Sequence, residues 1–419
     1  MSWQERTIGV ESIREGMFVC RLDRSWEGTP FPLQGFLVNT QEEIQNLRKL
    51  CEEVTIDIAQ THEAVRDRAL MAPLPRKKLA RSGYSDADRA LLSRAVRYED
   101  RVDLHEELEA AGDAHESLKT FSARAIADVR AGRMLQADEV TEAVVPVVQS
   151  VLRSLDAVFW LNALQARSEY EYHHALNCTM LAVAFGRHLG FPEKTLVDMA
   201  TGGLLLDVGK AQVSEDILLH PGPLSESQRN DVRRHVEFGL DIIRKTGNTS
   251  AEVLAMAGSH HERIDGSGYP KGLSGQDIPL FGRIAAIIDV FDALSSDRAY
   301  RTAVARHEAT GQLYRARHTL FQAELVEQFT QCIGVFPTGS LVELNTGEVA
   351  IVMAQNRARA LCPRVMVLTT ADKELREEFR EVDILGENTR AGETPRLHVL
   401  RALDPGAYGL NTAELYLPT

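Results

Sequence analysis

The sequence predicts a multi-domain, mainly α protein: a small mixed α/β domain, then an all-helical domain, then a small β-rich appendage. Three observations predict it. A chain of 419 residues suggests two or three domains at roughly 150 residues each. Apolar residues recur at helical spacing through the middle of the chain. Short β-branched or alternating runs appear before residue 60 and again after about Phe336. The expected boundaries are 1–65 for the first domain, 66–140 for a linker and helical connection, 141–338 for the helical domain and 339–419 for the appendage.

In the first domain, Met17–Leu22, Gly35–Val38 and Val54–Ile58 read as strands. Thr40-Gln41-Glu42-Glu43 is a capping-box pattern that opens a helix with Ile44, Leu47, Leu50 and Cys51 on one face. Met71–Ser82 holds two prolines and the basic cluster Arg76, Lys77, Lys78 and Arg81, and reads as a solvated linker because no aromatic residue interleaves it. Helical spacing then runs from Glu116 to about Ala166, with Pro146 expected in a first turn or at a kink. Residues 169–189 form a strongly amphipathic helix ending at Gly190, residues 195–210 a second closing in LLLDVGK, and a third after Leu224–Ser227 carries His235. In the appendage, Ser340–Leu344 and Glu348–Met353 flank Thr346-Gly347 as a hairpin, with Val365–Thr369 and His398–Leu403 continuing the β pattern.

Composition narrows the function. There are 47 Lys and Arg against 60 Asp and Glu, so the net charge is −13. That opposes binding to a nucleic acid polymer or an anionic membrane, which needs clustered cations. The five cysteines are scattered without a CxxC pair, so neither a zinc knuckle nor a disulfide framework is expected. No signal-peptide core and no apolar run of about 18 residues is present, so a cytoplasmic protein without a membrane span is expected.

The stretch Ser259–Arg301 carries the chemistry: SHHERIDGSGYPKGLSGQDIPLFGRIAAIIDVFDALSSDRAYR. His260 and His261 precede a loop too rich in glycine for regular structure. The apolar run Ile284, Ile287, Ile288, Phe291 and Leu294 marks a helix on which Asp289 and Asp292 are near neighbours. Arg298 and Arg301 follow it, and a guanidinium fork suits a phosphate. Paired imidazoles, carboxylates and arginines suit the holding of a metal against a phosphate ester.

These residues resemble the HD-GYP family, a branch of the HD-type metal phosphohydrolases, over roughly residues 140–338. The resemblance implies an all-helical HD-type catalytic domain, two or three metal ions (commonly iron or manganese), of which one or two divalent transition metal ions are expected in this chain, and the bacterial second messenger cyclic di-GMP as substrate. It implies His174, Asp207, His235, His260, His261 and Asp289 as metal ligands. Asp207 and Lys210 of GGLLLDVGK would be catalytic, the first bridging two ions and the second contacting the scissile phosphate. Gly268, Tyr269, Asp292, Arg298 and Arg301 would bind substrate. His173, His188 and His220 read as ordinary core or surface histidines. The N-terminal domain resembles a domain of unknown function often found ahead of such domains, which implies an input or scaffolding role toward a protein partner. The helices ahead of His174 would suit a homodimer.

The pattern breaks at Leu206, where the family has its name-giving histidine. Leucine has no lone pair. Asp207, His235, His260 and His261 would still hold one ion with a complete shell, and the other would keep His174, Asp207 and Asp289. Tyr170 stands where some members have a glutamate, with Glu171 beside it, so a third ion is not expected. Two functions follow: a phosphodiesterase of weakened activity, or an inactive receptor for cyclic di-GMP that keeps the fold and the nucleotide grip.

Overall fold

The computed structural model describes residues 5–24, 29–31, 35–57, 61, 65, 84–164, 170–247, 249–296, 303–356, 361–390 and 397–410. The chain divides into two compact units, one drawing on residues 1–81 and 356–363, the other on 82–355 and 364–419.

The first unit is an antiparallel sheet and one helix. The strands β1 (Glu5–Gly9), β2 (Phe18–Leu22), β3 (Phe36–Leu37) and β4 (Glu53–Asp57) lie in the order β1-β4-β2-β3. Helix α1 (Gln41–Leu50) starts at the expected capping box: Thr40 Oγ1 accepts from Glu43 N at 3.2 Å, and Thr40 N donates to Glu43 Oε2 at 3.0 Å. Its apolar face, Ile44 and Leu47, closes a core with Ile8, Val19 and Ile56.

The second unit is mainly helical, as the period of its apolar residues requires. Helix α2 (Asp86–Leu92) precedes α3 (Leu104–Arg130), α4 (Ala137–Arg153) and α5 (Leu155–Leu164). Pro146 lies inside α4 rather than in its first turn. The set continues with α6 (Tyr170–Leu189), α7 (Glu193–Leu204), α8 (Glu215–Leu218), α9 (Glu226–Arg233), α10 (His235–Lys245) and α11 (Ala251–Ser259). Then come α12 (Leu280–Ser295), α13 (Arg306–Ala316) and α14 (Ala323–Ile333). Helix α6 is almost wholly buried and packs against α3, α4, α7, α12 and α14. A helix buried on nearly every side belongs at the centre of a bundle, not at its surface as an amphipathic pattern would have it.

Five antiparallel strands complete this unit: β5 (Leu341–Leu344), β6 (Val349–Ala354), β7 (Arg364–Thr369), β8 (Leu375–Asp383) and β9 (Val399–Ala402). Their order is β8-β7-β6-β5-β9, with a short helix α15 (Ile384–Arg390) after β8. Every residue of β5 and β6 is buried, and Leu341, Val349, Ile351 and Met353 belong to the same continuous core as the helices. Strands covered on both faces need no polar alternation. Thr338 Oγ1 bonds Asp156 at 3.0 Å, and Arg364 pairs with Asp103 at 2.8 Å, tying sheet to helices. Among the described residues no single helix is long and apolar enough to cross a membrane.

Candidate metal centre

Six of the residues singled out by the sequence meet at one place in the helical unit. The local backbone explains how. Helix α7 stops at Leu204 instead of running on to residue 210. Leu205–Asp207 turn, and a 3-10 helix, Val208–Gln212, follows. A Cβ at Gly209 would lie 1.9 Å from the carbonyl oxygen of His235, so only glycine lets this turn press on the start of α10. That contact sets Asp207 against His235. His235 is the first residue of α10, because the chain breaks between α9 and α10 at Arg234. His260 and His261 follow the last residue of α11. His174 and Asp289 project from α6 and α12.

On one side of Asp207 stand His235, His260 and His261, whose ligand atoms and the carboxylate all lie within 4.8 Å of one another. His235 Nδ1 lies 2.7 Å from the Val232 carbonyl, and His260 Nδ1 lies 2.9 Å from the Ala257 carbonyl. A carbonyl only accepts, so both Nδ1 atoms carry the proton and donate it. In the neutral rings both Nε2 atoms are then bare acceptors, yet they face each other at 3.4 Å. Asp207 Oδ1 is 3.2 Å from the first and 3.7 Å from the second, and it is buried without a hydrogen-bond donor among the described residues. Three acceptors converge with no proton between them. Buried polar atoms require partners, and a cation is the partner that this set fits. His261 completes the side. Burial and the neighbouring His260 hold its imidazole well below the ordinary value, so it too keeps a lone pair.

On the other side stand His174, Asp207 and Asp289. His174 Nε2 is 3.3 Å from Asp207 Oδ2 and 3.4 Å from Asp289 Oδ1. Asp289 Oδ2 reaches back to His261 Nδ1 at 3.5 Å, so the two sides are continuous. Burial opposes charge on His174, but Cys178 and the carboxylates of Asp207, Asp289 and Asp292 outweigh it and hold the ring well above the ordinary imidazole value. Burial likewise opposes the Asp207 carboxylate. The Lys210 ammonium at 2.5 Å and the surrounding imidazoles outweigh it and keep Asp207 well below the usual range. Asp289 is lowered in the same way, against burial, chiefly by His174 and His261.

The substrate-binding set divides. Asp292 does not stand where a substrate would reach it. It is 2% exposed; its Oδ2 lies 2.6 Å from His174 Nδ1, and its Oδ1 accepts from Asn177 at 2.6 Å and Ser296 at 3.1 Å. It therefore sits behind His174, on the ring nitrogen opposite the cluster. Gly268 brings the loop backbone onto His261–Arg263, where a Cβ would lie 2.5 Å from three backbone atoms. Tyr269 lays its ring on His261, centroids 4.6 Å apart, and Arg233 covers the Tyr269 ring at 5.0 Å. Arg298 and Arg301 lie outside the described residues. His188 bonds Gln328 at 3.1 Å, away from the cluster.

Sequence reasoning missed several contributors. Asn177 steadies Asp292, and its position three residues after His174 on one helix face was a usable signal. Glu262 is 1% exposed and accepts from Lys271 N at 2.8 Å and Leu273 N at 3.0 Å, pinning the glycine-rich loop. Ser122 and Ala125 of α3 line a cavity beside His174, Asp207 and Lys210, and no local pattern announced it.

Comparison with known proteins follows the same lines. Residues 158–325 match the HD domain family, and residues 5–140 match a domain of unknown function, DUF3391. The chain is 32% identical over 394 residues to the cyclic di-GMP phosphodiesterase PA4108 of Pseudomonas aeruginosa, covering 94% of this chain and 91% of the relative. It is 39% identical over 160 residues to the cyclic di-GMP phosphodiesterase response regulator RpfG of Xanthomonas campestris, covering 36% of this chain and 42% of the relative. It is 37% identical over 171 residues to 3'3'-cGAMP-specific phosphodiesterase 2 of Vibrio cholerae, covering 40% and 32%.

Proposed function

Because the chain belongs to the HD-GYP family of HD-domain proteins, we propose that it is a divalent-metal-dependent phosphodiesterase that hydrolyses cyclic di-GMP, with turnover weakened at Leu206. The observation that carries the metal reading is the acceptor triad of Asp207 Oδ1, His235 Nε2 and His260 Nε2, which lacks a proton to share. Asp207, His235, His260 and His261 would hold one ion. His174, Asp207 and Asp289 would hold another, with Asp207 common to both. Iron or manganese suits this mixed imidazole and carboxylate set. Bound there, the ions would supply Lewis acidity toward the phosphate and toward an attacking water.

The chain's own groups do the rest. Lys210 places an ammonium beside Asp207, where it offsets charge gathering on the phosphate oxygens. Asp292 takes the Nδ1 proton of His174 in a hydrogen bond and fixes which ring nitrogen faces the site. Tyr269, backed by Arg233 and seated on His261, presents an aromatic edge at the loop where a nucleotide would pass. Arg298 and Arg301 would grip the nucleotide's phosphates. The first unit would serve a protein partner, and the assembly would be a homodimer in the cytoplasm.

Leu206 favours a second reading. It is buried in the helical core, next to Asp207, where the family resemblance calls for a ligand. A receptor that binds cyclic di-GMP without hydrolysing it would tolerate that loss. Turnover of cyclic di-GMP by manganese-reconstituted protein separates the two. Slow hydrolysis to the linear dinucleotide supports the enzyme. Tight binding with no product supports the receptor. Neither binding nor product overturns both.

A further inference from the structure

Helix α3 belongs to the stretch matched by the domain of unknown function and ends at Arg130, well before the HD-domain match begins at residue 158. Yet it forms one wall of the cavity that opens on His174, Asp207 and Lys210. The lining is mostly apolar, and α3 contributes Ser122, Ala125 and Ile126, with Ser122 and Ala125 one turn apart. Ser122 is 3% exposed, and its hydroxyl has no hydrogen-bond partner among the described residues. Several helical serines and threonines of this chain bond the carbonyl four residues back, as Thr179 does to Ala175 at 2.8 Å, and Ser122 does not. The Ser122 hydroxyl lines the cavity, where a bound molecule can supply the partner that a polar group in such a place takes. The cavity encloses about 40 Å³, room for a few waters or the edge of a sugar but not for a purine.

We propose that Ser122 and Ala125 of α3 form a ribose subsite: the Ser122 hydroxyl bonds a sugar hydroxyl of the nucleotide whose phosphate meets Lys210, and Ala125 is kept small to admit that sugar. The inference rests on the phosphodiester reading above and deepens it. A sugar presents both a C–H face, which the apolar lining accepts, and a hydroxyl, which the lone polar group on α3 can bond. A 2'-hydroxyl is the group that distinguishes ribonucleotides from deoxyribonucleotides. A specificity element therefore lies outside the HD-domain match, on a helix that supplies none of the six metal ligands.

The test is calorimetry on the metal-loaded full chain, with cyclic di-GMP and its bis-2'-deoxy analogue as probes. Wild type should favour the ribonucleotide by roughly fivefold to tenfold, the ordinary worth of one neutral hydrogen bond. Ser122→Ala should lose that preference by weakening the ribonucleotide alone. Ala125→Leu should weaken both dinucleotides by at least about tenfold, while inorganic phosphate, which needs only the Lys210 end, binds as in wild type. Unchanged metal content in both variants shows that the fold is intact, and Ser122→Ala removes only one oxygen should the leucine disturb packing. An equal preference in wild type and Ser122→Ala overturns the subsite while leaving the phosphodiesterase reading standing. A wild type that binds neither dinucleotide overturns that reading, and the subsite with it.

Discussion

The two halves of the metal centre are oriented by different means. His235 and His260 stand at helix ends, and each gives its Nδ1 proton to a main-chain carbonyl of the adjoining helical turn, Val232 or Ala257. The last carbonyls of a helix lack intrahelical partners and are available for this. His174 projects from within a helix, where carbonyls are already bonded, so it depends on side chains: Asp292, itself steadied by Asn177 and Ser296. Substitution cannot remove a carbonyl, but it can remove an aspartate. The half oriented by side chains is the one exposed to sequence drift, and it is the half that the resemblance deprives of a ligand at Leu206.

The largest expected effect breaks both halves at once. Asp207→Asn keeps the shape but removes the shared charge, so both ions should be lost and turnover should fall on the order of a thousandfold. Metal analysis with a turnover assay checks it. Asp292→Asn should break one half only. It leaves the carbonyl-oriented histidines untouched and should weaken the second ion about tenfold to a hundredfold, as partners behind a ligand usually do. Manganese titration should then resolve one unchanged site and one weakened site.

Legibility in the sequence followed the same division between local and distant causes. The apolar run Ile284–Leu294 and the capping box at Thr40 are local signals, and helices stand at both places. The spacing of Asp289 and Asp292 put them on one helix face but could not say which met the cluster, since that depends on the segments packed against the face. The apolar continuation LLLDVGK hid the end of α7 at Leu204, because the turn there is set by Gly209 meeting His235, a contact between separate segments. The wall formed by α3 was illegible for the same reason: its partners lie on other helices.

Two smaller effects sharpen the contrast. Leu206→His should restore a ligand to the weaker half and raise turnover about tenfold; an unchanged rate would show that the defect lies elsewhere in that half. Acid should act on the carboxylates of both. Asp207 and Asp289 are held below the usual value of 3.8, so the stability they contribute is complete above that pH and lost as pH falls below it. His174 has the opposite sign: raised in the fold, it stabilises the metal-free protein below its ordinary value of 6.5, and that contribution fades as pH rises through its elevated value. Urea unfolding of the metal-free protein across pH reads both.

The central claim, that side chains from five helical segments converge to hold a divalent cation, is tested most directly by equilibrium dialysis of metal-free protein against manganese(II), wild type beside His260→Ala. The account predicts at least one tightly held ion per chain in wild type and its loss in the variant. Metal-free wild type, or full occupancy without the His260 imidazole, would contradict it.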